Sequence, residues 1–517
     1  TTAGNFDVST VTVSGGNTLS ITPGDTVQMN TMPVSAGTFE FGVTDAATHG
    51  FVSVTAGGVS LTAGQITVNV IGNGIVAGDT LMIADGTAPD VIASTAVVDN
   101  SILFDFRVED GGQAALSDNT DLWLRVSLNA AITGALTPGD NNVLTTLLGL
   151  TPGELASQGG ELQLILDNVN AAATPGELHD ILSAAQPDVS GGAFYGVQNF
   201  VETILDITED ELNNPQGLRG TARLMYRDGK ASGNESMGLR AWGQIFGQTA
   251  QQGTRDGIEG FDAKTAGFAM GIDTDDGYED SRVGIGVAYG RTAVDADNSA
   301  SGETDINSYQ LSLYGNYNLN NDTFLRAFAA YAHNTDETVR HNVGGVPGLT
   351  AHGDYDADEV TLLAKAGHAF HSDGSMTFTP TALARWSYYS PDSYTETGAG
   401  AANLNVVQDN MNIVELGLGG EVKWEIHGAQ GYITTPSLHA GYRYDLVGDR
   451  IETTSTFTGG GAAFTSPGAD PARSRFNAGA DLKFYTTGTW QFKAAYDFDY
   501  KQDYYAHSGV LRAAVKF

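Results

Sequence analysis

From Leu239 onward, apolar and polar side chains alternate with a period of two. Trp490, Phe492, Ala494, Tyr496, Phe498 and Tyr500 share one face of an extended chain, with Gln491, Lys493, Asp497 and Asp499 on the other. Leu416, Leu418, Val422, Trp424 and Ile426 oppose Glu415, Glu421, Lys423 and Glu425. Phe476, Leu482 and Phe484 oppose Arg475, Asp481 and Lys483, while Tyr309, Leu311, Leu313 and Tyr317 oppose Gln310, Ser312, Asn316 and Asn318. Neighbouring side chains of a strand point to opposite faces, so each segment predicts a strand with one apolar and one polar surface. Such segments lie near 239–247, 263–273, 281–291, 304–318, 323–333, 356–371, 374–388, 407–427, 431–446, 472–485, 489–500 and 505–517. Short connections at 273–280, 318–322, 372–374, 427–430 and 486–488 contrast with long ones near 334–355, 389–406 and 447–471. Lipid outside, a wet lumen inside, short turns at one end and long loops at the other describe an antiparallel outer-membrane barrel. A soluble sandwich also alternates, but Tyr and Trp at the ends of the apolar rows belong at membrane interfaces. An even strand count puts both ends of the barrel on the short-turn, periplasmic side.

The upstream pattern differs. Residues 1–130 carry short Val-, Thr- and Gly-rich runs such as Ile66-Thr67-Val68-Asn69-Val70 and Leu122-Trp123-Leu124-Arg125-Val126. Turn clusters such as Pro23-Gly24-Asp25 and Ala77-Gly78-Asp79 separate them, which predicts a sandwich or a β-solenoid, without a strict repeat period. In residues 131–215, Thr-Pro-Gly followed by an acid recurs at Thr137, Thr151 and Thr174. Thr at N-cap, Pro at N1 and an acid at N3 is a helix start, so short helices are predicted between two β regions.

Charge separates the same regions. Of 517 residues, 25 are Lys or Arg and 61 are Asp or Glu, a net charge of −36. Such an acidic chain has no means of neutralising a run of phosphates, which excludes nucleic acid as a partner. Only Arg107 and Arg125 are cationic before residue 219, and Tyr195 is the only tyrosine there. The 20 tyrosines otherwise crowd the C-terminal half. Cysteine is absent, which rules out disulfides, zinc fingers and thiol chemistry. No apolar run reaches the ~18 residues of a membrane helix. Mean hydropathy is −0.14, which a barrel tolerates because only alternate residues meet lipid. Thr1-Thr2-Ala3-Gly4 lacks the basic start and apolar core of a signal peptide, leaving a processed chain, a fragment or a cytosolic protein open.

Gly238-Leu239-Arg240-Ala241-Trp242-Gly243-Gln244-Ile245-Phe246-Gly247, together with Phe268–Asp273 and Val283–Tyr289, resembles the first strands of an autotransporter (type Va secretion) barrel. The terminal row Leu511, Ala513, Val515 and Phe517 resembles the signal read by the barrel assembly machinery. Gly64–Ile83 and Leu103–Val126 resemble the end of a β-helical passenger. The resemblance implies three parts: the C-terminal end of a β-helical, autochaperone-like passenger at 1–130, a helical linker and pore-crossing segment at 131–238, and a twelve-stranded transmembrane β-barrel at 239–517. It implies an outer-membrane location, an extracellular passenger, and lipid, the assembly machinery and the chain's own passenger as partners.

A passenger outside and a first strand starting at the periplasmic end require the linker to cross the pore. A helix suits the crossing because it satisfies its own backbone. Residues 189–215 or 216–232 are the candidates. Arg219, Arg223 and Arg227 stand four apart and form one basic stripe on a helix, with lumenal Glu415, Glu421, Asp481 and Asp497 as candidate partners. The alternative is a basic loop at lipid headgroups. Some autotransporters cleave themselves between two Asn in the pore, and Asn213-Asn214 follows Glu209-Asp210-Glu211. Pro215 breaks that geometry, and Asn before Pro is also ordinary helix capping.

Enzyme motifs are missing: there is no G-x-S-x-G, H-E-x-x-H or Walker loop. His333, His341 and His352, in or near one long loop, fit a polar surface loop better than a metal site, and Asp273–Gly277 fits a solvated periplasmic turn better than a calcium loop. The expectation is a non-enzymatic translocator without cofactor or metal that secretes and displays its own passenger. The alternatives are an uncleaved surface adhesin or surface-layer protein with an unidentified ligand, and a porin with an appended domain. The protein is expected to sediment with outer membranes and to migrate faster on gels unheated than boiled. Recovery in the soluble fraction with heat-insensitive mobility overturns the barrel.

Overall fold

The computed structural model describes residues 6–8, 17–30, 37–61, 66–88, 91–92, 97–110, 120–157, 159–212, 239–274, 281–298, 300–372, 375–428, 432–485 and 490–515. Two compact units partition the chain, Thr1–Ala156 with Gly160–Leu182, and Ser157–Gly159 with Ser183–Phe517.

The first unit begins with twelve short strands: β1 (Phe6–Val8), β2 (Thr18–Ile21), β3 (Thr26–Met29), β4 (Thr38–Asp45), β5 (Phe51–Val54), β6 (Ser60–Leu61), β7 (Ile66–Gly74), β8 (Thr80–Asp85), β9 (Val91–Ile92), β10 (Val97–Asp99), β11 (Phe104–Asp110) and β12 (Asp121–Leu128). They pair as two interleaved parallel ladders, β1-β3-β5-β8 and β2-β4-β7-β10. Each return of the chain places an apolar residue on the previous one, so Ile21, Phe41 and Val68 stack in one buried column. The step between partners varies: Phe6 pairs with Val27, Val27 with Val52, and Val52 with Ala84. Unequal steps explain why the sequence shows no fixed period. The antiparallel hairpin β11–β12 ends the first ladder on β8.

Six helices follow: α1 (Ala130–Thr133), α2 (Pro138–Leu148), α3 (Pro152–Leu155), α4 (Glu161–Ala171), α5 (Pro175–Ala184) and α6 (Gly192–Leu212). The Thr-Pro-Gly-acid starts behave as their chemistry dictates. Thr137 with Asp140, and Thr151 with Glu154, form reciprocal capping boxes. At α5, the Glu177 amide donates to Thr174 Oγ1 at 3.2 Å and the Ala173 amide to Glu177 at 2.8 Å.

The second unit contains β13 (Leu239–Gln252), β14 (Phe261–Thr274), β15 (Ser281–Ala296), β16 (Glu303–Asn318), β17 (Thr323–Arg340), β18 (Ala351–His368), β19 (Phe370–His371), β20 (Met376–Pro391), β21 (Tyr394–Thr395), β22 (Leu404–Gln408), β23 (Met411–Trp424), β24 (Ile426–His427), β25 (Ile433–Gly448), β26 (Glu452–Phe457), β27 (Phe464–Pro467), β28 (Ser474–Tyr485), β29 (Trp490–Lys501) and β30 (Tyr504–Val515). β19 continues β18 and β24 continues β23, which leaves twelve antiparallel wall strands among the described residues. β18 pairs with β20 and β13 with β30, so the sheet closes on itself. The loops near 389–406 and 447–471 are not irregular throughout: β21, β22, β26 and β27 form a separate sheet at the long-loop end.

The two rows of each wall strand meet different media. Leu418 is 69% exposed on the outer face while Glu415, on the inner face of the same strand, is 0% exposed. Leu311, Leu313, Phe476, Leu482 and Phe492 also face outward, whereas Gln310, Ser312, Arg475 and Lys493 face inward. Tyr289 and Tyr309 meet outside in a tilted pair with ring centroids 5.2 Å apart, and further along these strands Arg291 and Asp305 pair diagonally at 3.0 Å. Aromatic rings followed by charge mark the edge of a hydrocarbon band. Leu311→Arg, placed inside that band, is expected to destabilise the barrel by about 2–4 kcal/mol in lipid vesicles. Thr335→Arg, on the charged extension of β17, is expected to leave stability nearly unchanged. Denaturant titration of both variants checks the difference.

Candidate functional site: the occupied lumen

α6 lies inside the barrel. Its 21 residues at about 1.5 Å each give roughly 31 Å, close to the ~30 Å of a hydrocarbon core. Gly192, at its N-terminus, packs on Phe261 and Val294 at the long-loop end. At the other end, Arg282 donates to the carbonyls of Glu211 at 3.2 Å and Leu212 at 3.4 Å, next to the short turns. A cation there answers both the orphan carbonyls and the negative end of the helix dipole.

The lumen wall is built in two halves. On β15 the inward row is Gly284, Gly286, Ala288 and Gly290, and on β14 it includes Ala263, Gly267 and Ala269. This low wall receives the apolar side of α6, where Val197, Phe200, Val201, Ile204 and Ile207 form one core with Trp242, Phe246, Ile306 and Phe328. A Cβ on Gly290 would come within 2.7 Å of the Phe200 ring, so the bare backbone is what admits the helix. Trp242 Nε1 donates to Tyr314 Oη at 2.6 Å, which satisfies an indole turned inward rather than toward lipid.

The opposite half of the wall is cationic and the facing side of α6 is acidic. Glu202 forms ion pairs with Arg385 and Arg475, both buried. Glu209 meets Arg326 at 2.7 Å and Lys365 at 2.8 Å. Asp210 meets Lys483 at 2.5 Å and Lys493 at 2.8 Å, and Glu211 pairs with Arg512. Residues 202, 206, 209 and 210 recur at helical spacing and so share one side.

The four candidate lumenal acids take their places around this contact. Glu415 accepts from Arg385 at 3.3 Å and Arg443 at 3.4 Å and aims both guanidinium groups toward the helix. Asp481 lies 3.1 Å from Lys493, and Asp497 2.6 Å from His439. Glu421 lines a cavity of about 350 Å³ beside Asp206 and Arg443. In the described lumen, therefore, Glu415 and Asp481 pair with cations of the wall and Asp497 with His439, while cations of the wall also pair with acids of α6. The sequence offers Arg219, Arg223 and Arg227 either as a basic stripe facing lumenal acids or as a basic loop at headgroups. Those three lie outside the described residues, as do Asn213 and Asn214. The roles of Glu202, Arg385, Arg443 and Arg475 were missed, although the i, i+4, i+7 acids of α6 and the inward parity of the arginines were both visible signals.

Leu511 faces outward on β30 and pairs with Ile245 on β13. Val515 is opposite Trp490 in the register, and Phe517 lies outside the described residues. His333 sits 2.9 Å from Asp358 on the outer face. Groups of three or more His, Asp or Glu able to hold a metal do not occur among the described residues.

Upstream of α6, the Ser190 amide and hydroxyl donate to Asp188 at 2.9 and 3.0 Å. Burial raises the Asp188 carboxyl above its usual range, against these two bonds.

Residues 241–497 match the autotransporter β-domain family. The barrel is an autotransporter β-domain. It is therefore an outer-membrane barrel and the translocator part of a type V secretion protein. Outer membrane protein B of Rickettsia prowazekii strain Madrid E is 27% identical over 404 residues, covering 73% of this chain and 24% of that protein. Outer membrane protein A of Rickettsia rickettsii is 26% identical over 298 residues, 56% of this chain and 13% of that protein. The chain thus spans about a quarter or less of the length of these relatives. Among solved structures, the translocator domain of autotransporter NalP from Neisseria meningitidis superposes with a TM-score of 0.46 and 17% identity, over 64% of this chain and 99% of that chain.

Removing one partner from a buried ion pair leaves an uncompensated charge and costs about 3–5 kcal/mol. Glu202→Ala in the autotransporter β-domain is expected to loosen α6 by about that amount. The readout is frequent opening in single-channel recordings, while Asp305→Ala on the outer face leaves the conductance as it was.

Proposed function

We propose that this chain secretes and displays its own N-terminal passenger, with α6 as the segment that remains in the pore once the passenger is outside. The observation that carries the reading is α6 itself, a hydrocarbon-length helix running from the long-loop end to the short-turn end with its charges matched to the wall. A porin needs an open lumen, and this lumen is occupied. Residues 1–130 fit the end of a β-helical passenger, because interleaved parallel ladders are the pairing of a coil that winds repeatedly over itself. Residues 131–238 serve as linker and 239–517 as barrel. Arg219, Arg223 and Arg227 are assigned to the periplasmic side of the lumen, where Asp206 and Glu421 line the remaining cavity. Leu511, Val515 and Phe517 are assigned to recognition by the assembly machinery.

The driving force in this reading is folding of the passenger outside. Burial of each new coil against the previous one, as in the Ile21–Phe41–Val68 column, makes backward sliding unfavourable. A tethered surface protein is the second reading, favoured by the anchoring of α6 at both ends. Its ligand would be read by the passenger and long loops. Protease added to intact cells is expected to remove residues of the first unit while the barrel stays heat-modifiable, and deletion of β30 is expected to abolish this surface access. A protected first unit on cells with a folded barrel overturns secretion. A fragment released into the medium and ending at Asn213 would instead mark self-cleavage at Asn213-Asn214.

A further inference from the structure

The segment between α5 and α6 is gripped at the long-loop mouth from three directions. Arg340, the last residue of β17, and Glu396, just after β21, form a buried bidentate pair, with Nε at 2.7 Å and Nη2 at 2.6 Å from the carboxylate. Glu396 also accepts the Leu404 amide at 2.8 Å, which fixes it to the loop sheet. The remaining nitrogen, Arg340 Nη1, donates to the carbonyls of Ala184 at 3.0 Å and Gln186 at 3.1 Å. From β13, Gln252 donates to the Ser190 carbonyl at 3.2 Å. From the loops, Gly468 lies so close to Val189 that a Cβ would stand 2.7 Å from its carbonyl oxygen. Gly191 has a φ of +90° and lies against Ile451. These hydrogen bonds from Arg340 Nη1 and Gln252 all go to main-chain carbonyls of the segment.

We propose that Arg340, oriented by Glu396, is a main-chain clamp that stops the linker at the loop-end mouth and keeps α6 seated. A bidentate carboxylate sets the guanidinium plane, so its last nitrogen faces the strap at a fixed height. Carbonyls occur in every peptide, so the grip does not depend on which side chains pass. It holds just upstream of Gly191, where the chain turns into the helix, and so sets the depth at which the acids of α6 meet their cations. The loop sheet thereby has a task distinct from ligand contact: it carries the carboxylate that aims the clamp. The clamp rests on the reading of α6 as the resident plug.

The chain contains no cysteine, so one introduced thiol reports on one site. Ser190→Cys, at a buried position, is the reporter, with a membrane-impermeant maleimide added to cells. In otherwise unaltered protein, labelling is expected to be slow and the reconstituted pore closed. Adding Arg340→Ala or Glu396→Gln is expected to speed labelling at least tenfold and to produce flickering conductance. Arg340→Lys, which keeps the charge but loses the fork, is expected to behave likewise, and it decides the matter if Arg340→Ala does not assemble. Arg450→Ala, in a half-exposed pair with Glu452, is the control and leaves both readouts unchanged. Slow labelling and a closed pore in heat-modifiable Arg340→Lys and Glu396→Gln overturn the clamp while the plug stands. A steadily open pore in the unaltered protein overturns the plug reading itself.

Discussion

Glu202 is the charge on which the lumen is organised. A carboxylate this deeply buried persists only if cations replace its water, and Arg385 and Arg475 do so. Those arginines in turn draw on the carboxylate, beside Glu415 for Arg385 and Asp499 for Arg475 in the wall. Neither the wall nor the helix is electrically complete without the other. A barrel emptied of α6 must therefore flood, with water solvating every group that the helix now solvates.

Complementarity of shape adds to that of charge. The glycine and alanine rows on β14 and β15 lower one side of the lumen, and the helix settles there with Phe200 against Gly290. Its acidic side then faces the tall, charged side of the ring. Apolar contact fixes which way the helix leans, and the spacing of Glu202, Glu209 and Asp210 along its length fixes how far it is inserted. Sliding it by one turn would separate three acids from their partners at once.

Much of the barrel was legible because alternation persists through strands of 12 to 18 residues, long enough for the two rows to be told apart. The helix starts were legible because Thr137, Thr151 and Thr174 act on amides only three residues away. The loop sheet was not, since β21 and β27 span two and four residues and carry no periodic signal. The parallel ladders were blurred because turns of unequal length separate the stacked positions. The pairing of α6 with the wall was hidden for a different reason. Glu202 meets Arg475 across 273 residues of chain, and nothing local to either residue names the other.

Closure of the ring has a consequence for biogenesis. β13 has no second neighbour until β30 arrives, and β30 is the last described strand of the chain. Until then the open edge of β13 offers unpaired amides and carbonyls, which hydrocarbon does not tolerate. A nascent chain that stalls before Tyr504 leaves a gap rather than a slightly smaller cylinder, because β29 would have to meet β13 with a mismatched direction. The architecture thus checks its own closure: only a chain that carries β30 seals.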